Sequence, residues 1–173
     1  MTYGLGSVPA FDDEVSEDAK HLKVFLDKVL QTVVQKYEDY GMPVPARRYW
    51  TIGLAPVDCE QLVVSFQQMY LGAPGAQASA PQKTEAPRTA TFSISVARAV
   101  PSGGQNGGAP SVPSLMKAAT VAAYDSWILI ESAAAFDQWE EGGYGMGVIA
   151  TVDTLQPEGG FQVVTLSCTT SVP

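Results

Sequence analysis

The chain of 173 residues is long enough to bury a sizeable hydrophobic core within one domain. Apolar residues make up 46% and charged residues 16%, which excludes an intrinsically disordered chain and suggests that partners cover part of the surface. The net charge of −8 argues against tight nucleic-acid binding, because contacts to phosphates need Lys and Arg, yet it suits a wall past which DNA slides.

Residues 1–15 are interpreted as an N-terminal arm, and residues 16–173 as a single domain. The arm carries the acidic cluster Asp12, Asp13 and Glu14 but lacks the basic start and apolar run of a signal peptide. The two cysteines are too few for a disulfide framework. We therefore expect synthesis in a reducing cytoplasm.

The first periodic segment predicts an amphipathic helix. Ser16 is a candidate N-cap, and apolar residues recur at helical spacing from Leu22 to Tyr37. Gly41 ends the pattern, and Pro43 prevents its continuation.

Three strands are predicted next, at residues 47–54, 60–71 and 89–100. The first is expected to place Trp50, Ile52 and Leu54 on one face. In the third, large apolar residues alternate with Ser and Thr, so its second face is wet or meets a partner. Flexible loops are expected at 72–87 and 101–110, which are rich in Gly, Pro, Ala and Ser.

A second helix is predicted from Ser111 to about residue 139, followed by a hairpin of strands at 147–155 and 161–172 around residues 156–160. The apolar stretch 118–136 is interpreted as a buried helix rather than a membrane span, because Asp125 and Glu131 interrupt it. Its inward stripe is expected to comprise Leu115, Ala118, Ala119, Ala122, Ser126, Leu129, Ala133 and Phe136.

The order α-β-β-β-α-β-β predicts an α+β fold. We expect one domain with an antiparallel or mixed sheet of about five strands, flanked on one face by two main helices.

No catalytic, metal or cofactor site emerges from the residues. His21, the only histidine, has no local second ligand and is interpreted as a surface residue. Cys59 and Cys168 lack Cys-x-x-Cys spacing and are expected to be small buried hydrophobes. The glycine-rich segment 102–108 lacks the Lys of a phosphate-binding loop.

Four carboxylates lie on or near the second helix, and paired carboxylates can perform acid–base catalysis. A solvated helical face is the more common explanation, so no enzyme is predicted. These residues are Asp125, Glu131, Asp137 and Glu140.

Arginines at strand ends or on strands favour salt bridges across a subunit interface, because Arg is the preferred residue for such contacts. Asp58, Glu60 or the arm would supply the partners. The arginines are Arg47, Arg48, Arg88 and Arg98.

Four segments resemble a known family in their order and spacing. Residues 58–66 read Asp-Cys-Glu-Gln-Leu-Val-Val-Ser-Phe, after Tyr-Trp-Thr-Ile-Gly at 49–53. Pro-Arg-Thr-Ala-Thr-Phe-Ser-Ile at 87–94 and Glu-Glu-Gly-Gly-Tyr-Gly at 140–145 follow. Together they resemble the tail terminators of long-tailed phages of actinobacteria, over roughly residues 10–173.

The resemblance implies a structural virion protein that forms a homo-hexameric ring on the head-proximal end of the tail. Its partners would be the major tail tube protein and a head–tail connector or stopper protein, with DNA passing through the lumen without specific binding. The resemblance brings no catalytic residue, cofactor, metal or membrane partner. Alternatives are another neck component such as a stopper or connector, a minor tail or tube-forming protein, and a small hydrolase.

Overall fold

The computed structural model describes residues 17–75, 87–101, 109–136, 147–155 and 160–172, with the side chains of 17–19 left aside. Its helices are α1 (Glu17–Asp39) and α2 (Val112–Phe136). Its strands confirm the predicted order α-β-β-β-α-β-β. They are β1 (Arg47–Ile52), β2 (Gln61–Leu71), β3 (Arg88–Ala99), β4 (Ile149–Thr154) and β5 (Phe161–Val172).

The five strands form one mixed sheet in the order β1-β2-β3-β5-β4. Every neighbouring pair is antiparallel except β1 and β2, which run parallel with Arg47 beside Gln61. Two parallel strands cannot be joined by a tight turn. Residues 53–60 therefore run back from the end of β1 to the beginning of β2, which lies beside the beginning of β1. Gly53, at φ +79°, begins this return, so β1 ends at Ile52. Leu54 is 93% exposed, and its predicted place within the strand is wrong.

Both helices pack on one face of the sheet. Alternate residues of β2, β3 and β5 face them and are buried, as the period-two patterns predicted. Phe92 lies at the centre of this layer, with its ring centroid 5.4 Å from that of Phe25 on α1 and 6.1 Å from that of Phe136 on α2. The core is therefore a single layer between the sheet and the helix pair.

The inward stripe of α2 is only partly as predicted. Ala122, Leu129, Ala133 and Phe136 are buried, whereas Leu115 and Ala119 are exposed. The buried residues of α2 begin at Ala122, because the first ten residues of the helix extend beyond the main core. The buried set also includes Asp125, Ile128 and Ser132.

The second face of the sheet carries rows of hydroxyl groups. Ser65, Ser93, Ser167 and Thr151 lie side by side on four adjacent strands. Ser93 is buried, and the connection 53–60 and Leu155 border the same surface. This face is therefore partly covered by the chain's own connection.

Several predictions fall on residues that the structure does not describe. They are the N-terminal arm at 1–15, the Ser16 cap, the end of the second helix at 137–139, the segment at 140–145, residues 156–159 of the hairpin loop, and most of the loops 72–87 and 101–110. Among the described residues, no helix combines the length and the apolar character that a membrane span requires.

Burial of Cys168 predicts a loss of stability at alkaline pH. Burial raises the pKa of its thiol from 9.0 to about 12. Below pH 9 both folded and unfolded chains keep this proton, so nothing is lost. Above pH 9 the unfolded chain releases it and the folded chain does not, so the free energy of unfolding falls by up to ~1.4 kcal/mol per pH unit.

Urea denaturation under reducing conditions at pH 8, 9.5 and 10.5 measures this slope. Cys168→Ala is expected to reduce the slope, whereas Cys59→Ala, at the less buried cysteine, should keep it. Identical slopes for the parent and Cys168→Ala would contradict the assignment.

Candidate subunit interface

A buried ion pair holds α2 against the rest of the fold. Asp125 on α2 is fully buried, and both of its oxygens accept hydrogen bonds from Arg98 on β3, at 3.0 and 3.1 Å. The Tyr37 hydroxyl on α1 donates to Oδ1 of Asp125 at 2.7 Å. Arg98 also donates to the carbonyl of Pro43 at 2.9 Å. The cluster thus joins α1, the loop that follows it, β3 and α2.

Burial and the charges within the cluster set the pKa values of its own members. Burial, followed by the negative charge of Asp125, raises the pKa of Tyr37. Burial alone would lower the pKa of Arg98, but its hydrogen bonds to Asp125 and the charge of that carboxylate raise the pKa instead. Tyr37 therefore stays protonated and Arg98 stays charged through the neutral range, so the cluster is a structural clamp rather than an acid–base pair.

Two residues predicted to bridge subunits, Arg98 and Glu60, make contacts within the chain. The side chain of Arg98 is only 14% exposed and is committed to Asp125. Oε1 of Glu60 accepts a hydrogen bond from the backbone N–H of Ala99 at 3.1 Å. Arg98 is therefore a core residue of the fold, and Glu60 anchors the end of β3.

Arg47 and Asp58 also pair within the chain, but at the surface. Nη1 of Arg47 lies 2.6 Å from Oδ1 of Asp58 and 3.3 Å from Sγ of Cys59. The hydrogen bond from Arg47 lowers the pKa of Asp58. Cys59 is only partly buried, so its prediction as a buried hydrophobe is wrong, whereas that of Cys168 is confirmed. The ion pair fastens the end of the 53–60 connection to β1.

Arg48 and Arg88 are exposed, and neither forms an ion pair within the described ranges. Arg48 lies on β1, at an edge of the sheet, and Arg88 begins β3. They remain predicted interface residues, and Arg88→Glu is expected to abolish assembly.

The described residues hold no group of three or more His, Cys, Asp or Glu side chains that could bind a metal ion. His21 is exposed on α1, and the carboxylate of Asp125 is occupied by Arg98 and Tyr37. Asp137 and Glu140 lie outside the described residues.

The outer face of α2 is apolar and almost without charge. Of the twelve side chains that α2 exposes, only Lys117 is charged. Met116 is 66% exposed and Trp127 is 57% exposed. The face extends from Val112 to Ala134, about 33 Å along the helix. A contiguous apolar surface of this extent is typical of an interaction site.

The residues of this face follow a seven-residue repeat. Met116, Thr120, Ala123, Trp127, Ile130 and Ala134 are spaced alternately by four and three residues, and all are exposed. This is the spacing by which helices pack along a narrow seam. We call this surface the α2 face.

A second apolar surface lies on the opposite side of the sheet. Leu54, Val57 and Leu155 are exposed there, beside the hydroxyl-bearing face that the helices leave uncovered. We call this surface the Leu54 patch. The molecule thus presents two different apolar surfaces that point away from each other.

Neither surface was predicted from the sequence. A signal for the α2 face was present, because residues 112–134 contain only three charged side chains, Lys117, Asp125 and Glu131. The Leu54 patch had no comparable signal, because Leu54 fits the alternation of the preceding strand.

No family model and no curated protein matches the chain. A solved protein structure whose name describes no function is similar over 85% of this chain and 95% of its own length, with 15% identity and a TM-score of 0.34. A likeness this weak carries no inference about activity or partners.

Removing the charge of Asp125 is predicted to destabilise the fold strongly. Asp125→Asn keeps an acceptor for Tyr37 but leaves the guanidinium of Arg98 buried without a counter-charge. We expect a loss of about 3–5 kcal/mol in the free energy of unfolding, measured by urea denaturation. The control is Arg47→Gln at the exposed pair, which should change stability far less. Equal losses in both variants would contradict the role of the cluster.

Proposed function

We propose that the chain is a ring-forming tail terminator of a long-tailed phage, a structural virion protein and not an enzyme. The observation that carries this proposal is the presence of two distinct apolar surfaces, the α2 face and the Leu54 patch, on opposite sides of one domain. The resemblance of segments 49–53, 58–66, 87–94 and 140–145 to tail terminators supplies the biological setting.

Two different surfaces favour head-to-tail association. If the α2 face packed against the α2 face of a second copy, the product would be a two-fold dimer and the Leu54 patch would stay exposed. If the α2 face of one copy covers the Leu54 patch of the next, both surfaces are buried. Such association forms a ring if the rotation between copies closes, and a filament if it does not. For this chain we propose a closed homo-hexamer.

In this proposal the ring binds the last ring of the major tail tube protein and stops tube polymerisation. Its other surface joins the head–tail connector or stopper protein, and the protein, made in the host cytoplasm, resides at the head-proximal end of the virion tail.

The charge distribution supports a lumen that passes DNA without binding it. The described side chains carry nine basic and eight acidic groups, so their summed charge is close to zero. The other segments carry ten acidic groups and one basic group. This surface offers no basic excess to hold phosphates.

Charges placed in either apolar surface are predicted to block assembly. Trp127→Glu in the α2 face and Leu54→Glu in the Leu54 patch should each prevent ring formation, because an unpaired carboxylate would be buried in the interface. Val24→Glu is the matched control, because Val24 is an exposed apolar residue of α1 beside Lys20, Lys23 and Lys28. Native mass spectrometry measures the mass of the assembly that each variant forms.

The parent chain and Val24→Glu are expected as closed six-copy rings. An open series of masses from the parent would favour the tube-forming alternative, and a single-copy mass at every concentration would contradict assembly by the free chain.

Mixing the two blocked variants distinguishes the geometry of assembly. Trp127→Glu keeps its Leu54 patch, and Leu54→Glu keeps its α2 face. Head-to-tail contact predicts that the equimolar mixture forms one-to-one pairs and stops there. A two-fold contact between α2 faces predicts dimers of Leu54→Glu alone, and that result would contradict the proposed ring.

A further inference from the structure

The connection 53–60 carries most of the Leu54 patch, yet it belongs to no helix or strand. Leu54 is 93% exposed and Val57 is 43% exposed, so the described part of the chain leaves both largely uncovered. A segment with exposed side chains and no ladder of backbone hydrogen bonds is ordinarily mobile. Holding these two side chains in one arrangement therefore requires contacts outside regular secondary structure.

Both ends of the connection are tied to the sheet. Gly53 turns the chain out of β1 at φ +79°, a conformation that glycine adopts without strain, and its N–H donates to the carbonyl of Phe66 on β2 at 2.8 Å. At the other end, Oε1 of Glu60 accepts a hydrogen bond from the N–H of Ala99 on β3 at 3.1 Å. The connection thus begins and ends at fixed points.

A buried amide holds the middle of the connection. Gln61, the first residue of β2, is 2% exposed, and its Nε2 donates to the carbonyl of Pro56 at 2.6 Å. A buried donor without an acceptor is costly, so this contact favours the observed path over an open one. The backbone immediately before Val57 is therefore held to the sheet.

An exposed ion pair holds the backbone immediately after Val57. Nη1 of Arg47 donates to Oδ1 of Asp58 at 2.6 Å, and the guanidinium lies 5.2 Å from the centroid of the Tyr49 ring. Ion pairs at this exposure contribute little to the stability of a whole fold. The effect of this pair is therefore local, on the path of the connection.

We propose that Arg47, Asp58 and Gln61 are positioning residues for self-association. They hold the connection 53–60 in the arrangement that the α2 face of the next copy contacts, without contacting that copy themselves. A surface that is already ordered loses less conformational entropy on binding than a mobile one, so its affinity is higher. This inference rests on the head-to-tail assembly proposed above.

Hydrogen exchange in a single-copy chain tests whether these residues hold the connection. Trp127→Glu is the background, because its α2 face is blocked and its Leu54 patch is intact. Arg47→Gln and Gln61→Met, added singly, should each raise the exchange rates of the amides in 54–60 about tenfold and leave those of β3 unchanged. Unchanged exchange at 54–60 in both variants would overturn the proposal.

The matched control removes an exposed ion pair elsewhere. Lys23 and Asp27 on α1 lie 3.3 Å apart, and both side chains are exposed. Lys23→Gln should leave exchange at 54–60 unchanged. Equal acceleration by Lys23→Gln and Arg47→Gln would overturn a specific role of Arg47. Because Arg47→Gln alters a surface side chain, it keeps the test valid if Gln61→Met fails to fold.

The affinity between two complementary blocked variants tests the consequence for assembly. Trp127→Glu supplies the Leu54 patch and Leu54→Glu supplies the α2 face, so titration calorimetry of one into the other measures a single contact. Arg47→Gln in the Trp127→Glu chain should raise the Kd about tenfold, whereas Lys23→Gln in the same chain should not change it. A Kd that ignores Arg47→Gln would overturn the proposal.

Exchanging the two charges separates positioning from direct contact. Arg47→Asp combined with Asp58→Arg restores an ion pair within the chain but presents the opposite charges to the next copy. Positioning predicts that the exchanged pair recovers most of the lost affinity and the slow amide exchange. If Arg47 instead contacts an acidic residue of the next copy, the exchanged pair should bind no better than Arg47→Gln, and that result would overturn the proposal.

Failure of this inference is distinguishable from failure of the proposed function. If the two blocked variants pair with a Kd that does not respond to Arg47→Gln, the positioning role is overturned and the assembly stands. If they do not pair at all, the head-to-tail assembly is contradicted, and the inference that depends on it is overturned as well.

Discussion

The neutralisation of one buried carboxylate is the constraint on which this fold depends. Asp125 has no access to solvent, so its charge must be balanced inside the protein. Arg98 provides the balance from β3, and Tyr37 adds a hydrogen bond from α1. Because these three residues come from three elements, the ion pair fixes the position of α2 relative to both the sheet and the other helix.

Fixing α2 in this way decides which of its sides faces outward. The helix is apolar around nearly its whole circumference, so burial of hydrophobic surface alone would not select one orientation. With Asp125 turned inward, Trp127 and Met116 are left exposed. The buried ion pair thus links the internal packing of the domain to the α2 face, through which we propose that copies assemble. The Leu54 patch arises separately, from the parallel pairing of β1 and β2, which brings the connection 53–60 across the sheet.

The sequence predicted the elements better than their orientation. β2, β3 and β5 alternate clearly between large apolar and small polar residues, so their inward faces were predictable. The alanine-rich α2 offers little contrast between its sides, which is why Leu115 and Ala119 were assigned inward although they are exposed. The parallel pairing of β1 was not predictable, because an eight-residue connection also suits a hairpin.

The contacts of the four predicted interface arginines were likewise not predictable from the sequence. Charge and strand position suggested a common role for Arg47, Arg48, Arg88 and Arg98. The partner of Arg98 is Asp125, 27 residues away on another element, and only the tertiary structure brings the two together. Arg47 pairs with a nearby residue of its own chain, which leaves Arg48 and Arg88 as exposed arginines without an ion pair in the described ranges.

Tail length is the measurement that tests the proposed role most directly. Negative-stain microscopy of phage lysates that lack this chain would measure the length of each tail and whether it carries a head. A tail terminator predicts overlong tubes without heads, because nothing stops polymerisation of the tube protein. Tails of normal length that fail to join heads would contradict a terminator and favour a stopper or connector. Normal virions would contradict any role in the neck.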